Sequence, residues 1–200
     1  MSQLLVIEGS VFGENGQSTG LARHYVEAWK EANPEGSVRT IDVVAEPFAP
    51  FDTAAMAALS AEPSQRDAQQ AAMVAKADDL IEAFQKADRI VLCAPMYNFH
   101  ISSHLKSALD WLARAGVTFR YTENGAEGLL PSVPVIVIST RGGHYHEAGI
   151  DHQLPYLRQF LSFVGLDDVT VVLAEGLNSG GEEAAKASIE QAKKQLSALV

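Results

Sequence analysis

Three short stretches of this 200-residue sequence combine residue types that could hold a ligand. The first runs Gly9-Ser10-Val11-Phe12-Gly13-Glu14-Asn15-Gly16-Gln17-Ser18-Thr19, between an apolar run and an amphipathic one. Glycines and hydroxyls at the entry to a helix offer free N–H groups and the positive end of the helix dipole to an anion. The spacing matches neither the P-loop nor the Gly-x-Gly-x-x-Gly fingerprint. Lacking a lysine and containing Glu14, the loop suits a single phosphomonoester better than a magnesium-bound polyphosphate. The same residues would also serve as a plain helix start, with Ser18 or Thr19 as the capping hydroxyl.

The second stretch, Pro95-Met96-Tyr97-Asn98-Phe99-His100, follows an apolar run ending at Ala94. Large apolar side chains beyond the end of a strand are placed to hold a flat aromatic ligand, or to pack on the next helix. The third is Ser139-Thr140-Arg141-Gly142-Gly143-His144. Paired glycines let the main chain approach a ligand, and amides aimed at an anionic carbonyl edge stabilise charge there. Alone, a Gly-Gly pair marks only a turn.

Other constellations are weaker. His144, His146 and His152, or His100 and His104, lack cysteine partners and the H-E-x-x-H pattern, so no metal site is expected. Cys93, the single cysteine, lies in an apolar run without a cationic neighbour and reads as a buried small hydrophobe. No phosphoacceptor aspartate follows the third strand, where Ala94-Pro95 stands instead.

These loops need a frame, and the hydrophobic pattern supplies one. Buried-strand signals occur at Leu4–Ile7, Arg89–Ala94, Val133–Ser139 and Val169–Ala174, with a more polar, edge-like strand at Ser37–Val43. Helical periodicity marks Ser18–Asn33, Ser64–Lys86, Ser102–Ala115, Leu154–Val164 and Glu182–Val200. Residues 44–63 are Pro/Ala-rich, carry no clear period and read as a long loop with room for a helical turn, a class that is functional or mobile. Alternating apolar strands and amphipathic helices predict a single α/β domain over residues 1–200: a doubly wound, five-stranded parallel sheet with helices on both faces. In such sheets ligands sit beyond the carboxyl ends of the strands, where all three loops fall.

Composition agrees. Hydrophobic residues make up 47% and charged residues 20%, as in an ordinary globular protein. Fifteen basic against twenty-five acidic residues give a net charge of −10, which argues against nucleic acid and anionic membranes as partners. No apolar run reaches membrane-spanning length and no secretory signal is visible, so the expected location is the cytoplasm.

Pro95-Met96-Tyr97-Asn98-Phe99, the stretch from Ala113 to Gly125 and Thr140-Arg141-Gly142-Gly143 resemble the bacterial FMN-dependent azoreductases, flavodoxin-like NADH:quinone oxidoreductases. The resemblance spans essentially the whole chain. It implies strand order 2-1-3-4-5 and a homodimer with FMN sites at the interface. Phosphate contacts are carried over to Ser10, Gly16, Gln17 and Ser18. Gly16 stands where the family often has serine, leaving only the amide. Isoalloxazine contacts fall on Met96, Tyr97, Asn98 and Phe99, with the Asn98 backbone near flavin N5, and on Thr140, Arg141, Gly142 and Gly143. Tyr121 and Phe163 resemble the aromatic pair that gates the substrate pocket. His144 stands where the family more often has an aliphatic residue. Close to the N1–C2=O edge it would stabilise the reduced flavin anion.

The activity implied is ping-pong, two-electron transfer from NADH or NADPH to quinones and azo compounds. Arg141 is compatible with either nicotinamide. Two rivals remain at this point: a flavodoxin-type electron carrier without NADH turnover, and a phosphodiester hydrolase using Ser10 or Ser18.

Overall fold

The computed structural model describes residues 2–146 and 148–200. In chain order its first elements are β1 (Gln3–Glu8), α1 (Gln17–Ala32), β2 (Ser37–Asp42), α2 (Thr53–Ser60), α3 (Ala68–Lys86) and β3 (Arg89–Cys93). Then follow α4 (Ser103–Leu112), β4 (Phe119–Thr122), β5 (Gly125–Gly128), β6 (Val135–Thr140), α5 (Gln153–Phe163), β7 (Val169–Ala174) and α6 (Gly181–Ser197). Five strands pair in parallel in the order β2-β1-β3-β6-β7, the doubly wound arrangement expected from the sequence.

Strand side chains alternate between the two faces of the sheet, and each face buries its own core. Leu5, Ile7, Ile90, Leu92, Val135 and Val137 meet α3, α4 and α5 on one side. Leu4, Val6, Val91, Cys93, Ile136 and Ile138 meet Leu21, Tyr25 and Trp29 of α1 and Leu196 of α6 on the other. Cys93 is fully buried and burial pushes its thiol well above the ordinary range, so it is a packing residue. β2 is the half-exposed edge that its alternating pattern predicts.

Several boundaries differ from the sequence expectation for identifiable reasons. In residues 44–63 the helical turn that the sequence allowed is a full helix of eight residues. This helix, α2, is capped by Asp52, whose carboxylate accepts the N–H groups of Ala54 and Ala55 at 2.9 and 3.0 Å. Phe48, Ala55 and Ala58 are buried, and the Trp111 indole N–H donates to the Ala49 carbonyl at 2.8 Å. The α3 helix starts at Ala68 rather than Ser64, because Asp67 and Gln70 form a reciprocal capping box.

A second difference is the antiparallel hairpin β4–β5, which periodicity missed because its strands are only four residues each and mostly exposed. Gly128 lets it dock: a Cβ there would lie 2.0 Å from the Gly165 nitrogen at the end of α5. The Leu130 N–H donates to the Val164 carbonyl at 3.0 Å and fixes that approach.

Candidate flavin site

The carboxyl ends of β1, β3 and β6 bring the three loops into one groove of about 350 Å³. Ser10, Gln17, Met96, Tyr97, Thr140, Arg141 and Gly142 line it, joined by Phe12, Pro95, Leu177 and Asn178. Leu177 and Asn178, in the loop after β7, were not anticipated. They close the groove because Gly142 accepts the Asn178 and Ser179 N–H groups at 2.9 and 3.1 Å. Only the position of this loop at a strand's carboxyl end could have pointed to it.

The first loop leads into a helix start without a side-chain cap, the form an anion cradle would take. Neither Ser18 nor Thr19 caps α1; Gly16 is the N-cap, in extended conformation and without a side-chain cap. The first amides of the helix, from Gln17 onward, therefore have no partner within it. Ser18 and Thr19 are buried in its first turn, and their hydroxyls have no hydrogen-bond partner among the described residues. Leaving such groups unsatisfied is costly, although neither residue is part of the groove lining. Gly16 must remain small: a Cβ there would sit 2.2 Å from Ser10 Oγ.

Tyr97 couples the cradle to the second loop. Its hydroxyl accepts the Val11 N–H at 3.0 Å and lies 3.4 Å from Ser10 Oγ, which in turn accepts the Phe12 N–H at 3.3 Å. Removing that hydroxyl with Tyr97→Phe is expected to weaken phosphate binding about three- to tenfold, the value of one net hydrogen bond. Fluorescence titration with riboflavin 5′-phosphate measures it.

The second loop is a two-residue reversal. Tyr97 and His100 exchange N–H···O bonds of 2.7 and 3.0 Å, and the residues between them, Asn98 and Phe99, both have positive φ, 48° and 68°. Asparagine tolerates this region, whereas phenylalanine there costs about 1–3 kcal/mol. The strain holds the Phe99 ring out, 53% exposed, with its edge against Tyr145 at 5.7 Å.

The third loop holds its backbone in the groove while the Arg141 side chain turns away. The guanidinium is fully buried and donates to Asp151 Oδ2 at 2.7 Å, Glu175 Oε1 at 3.1 Å and Ser139 Oγ at 3.0 Å. These internal partners occupy the guanidinium that the sequence reading left open to either nicotinamide. Glu175 Oε1 also accepts the Tyr145 and His146 N–H groups at 3.0 and 3.2 Å, which fixes the exit of the loop. The exposed His144 ring leans on Gly176, where a Cβ would lie 2.4 Å from its Nε2.

Tyr121 and Phe163 do not touch as a pair; Phe119 sits between them, with centroids 5.5 and 4.3 Å away. Neither residue is part of the groove lining in a single chain. As a nucleophile site the cradle is poor. Ser10 Oγ has only Tyr97 and an amide beside it, and Ser18 Oγ has no partner, so no base activates either serine. Among the described residues no group of three or more His, Cys, Asp or Glu side chains could hold a metal, and no helix is long and apolar enough to cross a membrane.

A sequence profile for the flavodoxin-like fold matches residues 2–200. The chain belongs to that family. Flavodoxin-like relatives include an FMN-dependent NADH:quinone oxidoreductase of Cellvibrio japonicus, 47% identical over 94% of this chain and 94% of the relative. FMN-dependent NADH:quinone oxidoreductase 6 of Burkholderia lata is 44% identical over 99% of this chain and all of its own length. Among solved structures, an azoreductase from Bacillus anthracis superposes with a TM-score of 0.84 at 27% identity, covering 99% of this chain and 100% of that one.

Proposed function

We propose that this flavodoxin-like protein is an FMN-dependent NADH:quinone oxidoreductase that also reduces aromatic azo compounds. The observation that carries the reading is one groove joining a lysine-free anion cradle to an aromatic turn held in strained backbone. The names of the Cellvibrio and Burkholderia relatives support the donor, cofactor and acceptor class. When bound, FMN supplies two-electron hydride chemistry between a nicotinamide and an acceptor.

The chain's own residues bind and orient. Ser10 and the amides of Gln17 and Ser18 hold the phosphate; the Gly16 N–H, which the sequence reading also assigned to it, is instead donated to the Gly13 carbonyl at 3.0 Å. Met96 to Phe99 carry one side of the ring system, and the backbone of Thr140 to Gly143 faces its pyrimidine edge, with His144 nearby as a charge partner. The groove lining offers no free cation to a 2′-phosphate, because Arg141 is internally paired, so NADH is the donor in this reading. Donor and acceptor use one site in turn, which gives ping-pong kinetics.

Exposed Phe12, Phe99 and Tyr121, at 66%, 53% and 76%, favour a homodimer that covers them. In that assembly Tyr121 and Phe163 of one protomer close over the groove of the other. Phe99→Gly is expected to separate strain from function: stability in urea holds or rises by about 1 kcal/mol as the strain is released, while FMN affinity falls.

The deciding experiment is spectroscopic. Purified protein loaded with FMN should lose its oxidised-flavin absorption on anaerobic addition of NADH and regain it with benzoquinone. Protein that stays colourless after incubation with FMN and dialysis overturns the reading. Bleaching without steady NADH consumption in the presence of benzoquinone identifies an electron carrier instead.

A further inference from the structure

Gln153, the first residue of α5, is wholly buried beneath the groove, and all its side-chain polar atoms are paired. Its Oε1 accepts from Ser139 Oγ at 2.7 Å and from Arg141 Nη2 at 3.2 Å. Its Nε2 donates to the carbonyls of Ala94 at 2.9 Å and Pro95 at 3.3 Å. The orientation of the amide is chemically determined. A guanidinium can only donate and a peptide carbonyl can only accept, so a reversed amide would mismatch the contacts to Arg141, Ala94 and Pro95.

This places one amide between the two loops assigned to the isoalloxazine. Ala94 and Pro95 lead into the aromatic turn, while Ser139 and Arg141 flank Thr140 of the third loop. Backbone bonds tie the same loops at one further point, Met96 N–H to the Thr140 carbonyl at 3.0 Å. Asp151 anchors the amide's own helix: its Oδ1 accepts the Gln153 and Leu154 N–H groups at 3.0 and 3.1 Å, while its Oδ2 holds Arg141. Gln153 is absent from the groove lining and reaches it only through Pro95 and Arg141.

We propose that Gln153, held by Arg141, is a positioning residue that sets the spacing between the Pro95–Phe99 and Thr140–Gly143 loops and so the seat of the flavin ring. This rests on the FMN reading above. Small displacements of a reacting pair cost rate steeply, so the effect falls on turnover more than on phosphate affinity, which is set by the separate cradle.

The test is Gln153→Glu, nearly isosteric, which keeps the oxygens facing Ser139 and Arg141 but removes the N–H donors to Ala94 and Pro95. Glu175→Gln, at the network's rim, accompanies it. The readouts are far-UV circular dichroism for folding, FMN affinity, visible circular dichroism of the bound flavin, its midpoint potential and kcat with NADH and benzoquinone. For Gln153→Glu we expect a native far-UV spectrum, FMN affinity within about threefold, an altered visible spectrum and potential, and kcat lower by about tenfold or more. A visible spectrum, potential and kcat matching wild type overturn the proposal. Should Gln153→Glu not fold, Glu175→Gln decides by the same readouts: altered values support the proposal and wild-type values overturn it. Failure of the wild-type protein to bind FMN is a different result and removes the functional reading itself.

Discussion

Replacing Gly16 with valine is expected to lower FMN affinity by at least about a hundredfold, ~2.8 kcal/mol at the usual 1.4 per tenfold. The cause is steric and local. A Cβ at this position would meet Ser10 Oγ at 2.2 Å, Ser10 Cβ at 2.8 Å and the Gly13 carbonyl at 3.1 Å. Valine adds two further methyls to that crowded point, displacing the serine that the cradle needs. Its backbone there, φ −69° and ψ 137°, is open to any residue, so the chain itself is not strained. The fold should lose only the difference between a glycine and a valine cap, about 1 kcal/mol, or about 2–4 °C in melting temperature for a chain this size. Fluorescence titration and a melting curve on the same preparation separate the two effects. Undiminished FMN affinity would show that the phosphate sits elsewhere.

Arg141→Met is expected to be the most damaging single change to stability, about 3–5 kcal/mol at pH 7, because it strands two carboxylates in the interior. Asp151 and Glu175 face the guanidinium with side chains only 7% and 13% exposed. The pH dependence carries the diagnosis. In the wild-type protein burial raises the Asp151 carboxyl, but hydrogen bonds from Arg141 and from the Leu154 and Gln153 amides outweigh it, so it lies below the ordinary value. That contribution is present above the unfolded carboxylate value, about 3.9, and disappears as pH falls through the depressed one. Without Arg141 the sign reverses. Burial, the largest influence on Asp151, is then opposed only by the Leu154 and Gln153 amides, so the carboxyl is expected to move up and stability to fall as pH rises through the acid range. The deficit of the variant should therefore shrink between pH 7 and pH 5, as urea midpoints at the two pH values will show. A deficit constant over that interval would mean the loss is one of packing alone.

The sheet was legible in the sequence because Leu4–Ile7, Ile90–Cys93 and Val135–Ile138 are apolar at successive positions, a pattern that only a strand covered on both sides requires. Two of the three ligand loops were legible as backbone: Gly16 and the Gly142-Gly143 pair mark close approach, and their place after strands gives direction. Side-chain destinations were not. Arg141 looks like a ligand contact in a linear reading, since nothing within a few residues reveals Glu175, 34 positions away, as its partner. Gln153 was equally hidden, because its contacts at Ala94 and Pro95 come from the far side of the chain. The left-handed backbone at Phe99 could not be foreseen from a residue type that rarely adopts it. Residues 44–63 were legible only as far as a helical turn, for a different reason: an alanine-rich helix such as α2 has too little contrast between its faces to show a period.

The β4–β5 hairpin stands apart from the sheet. It is fastened at its base by Gly128, Leu130 and the buried Phe119, while its remaining residues face solvent and are braced by the Arg120–Glu127 pair, bidentate at 2.9 Å. A substitution at Tyr121 or at the Glu123-Asn124 tip disturbs neither core. Such a graft point tolerates change without risk to folding, and it is where a designer would exchange loops first.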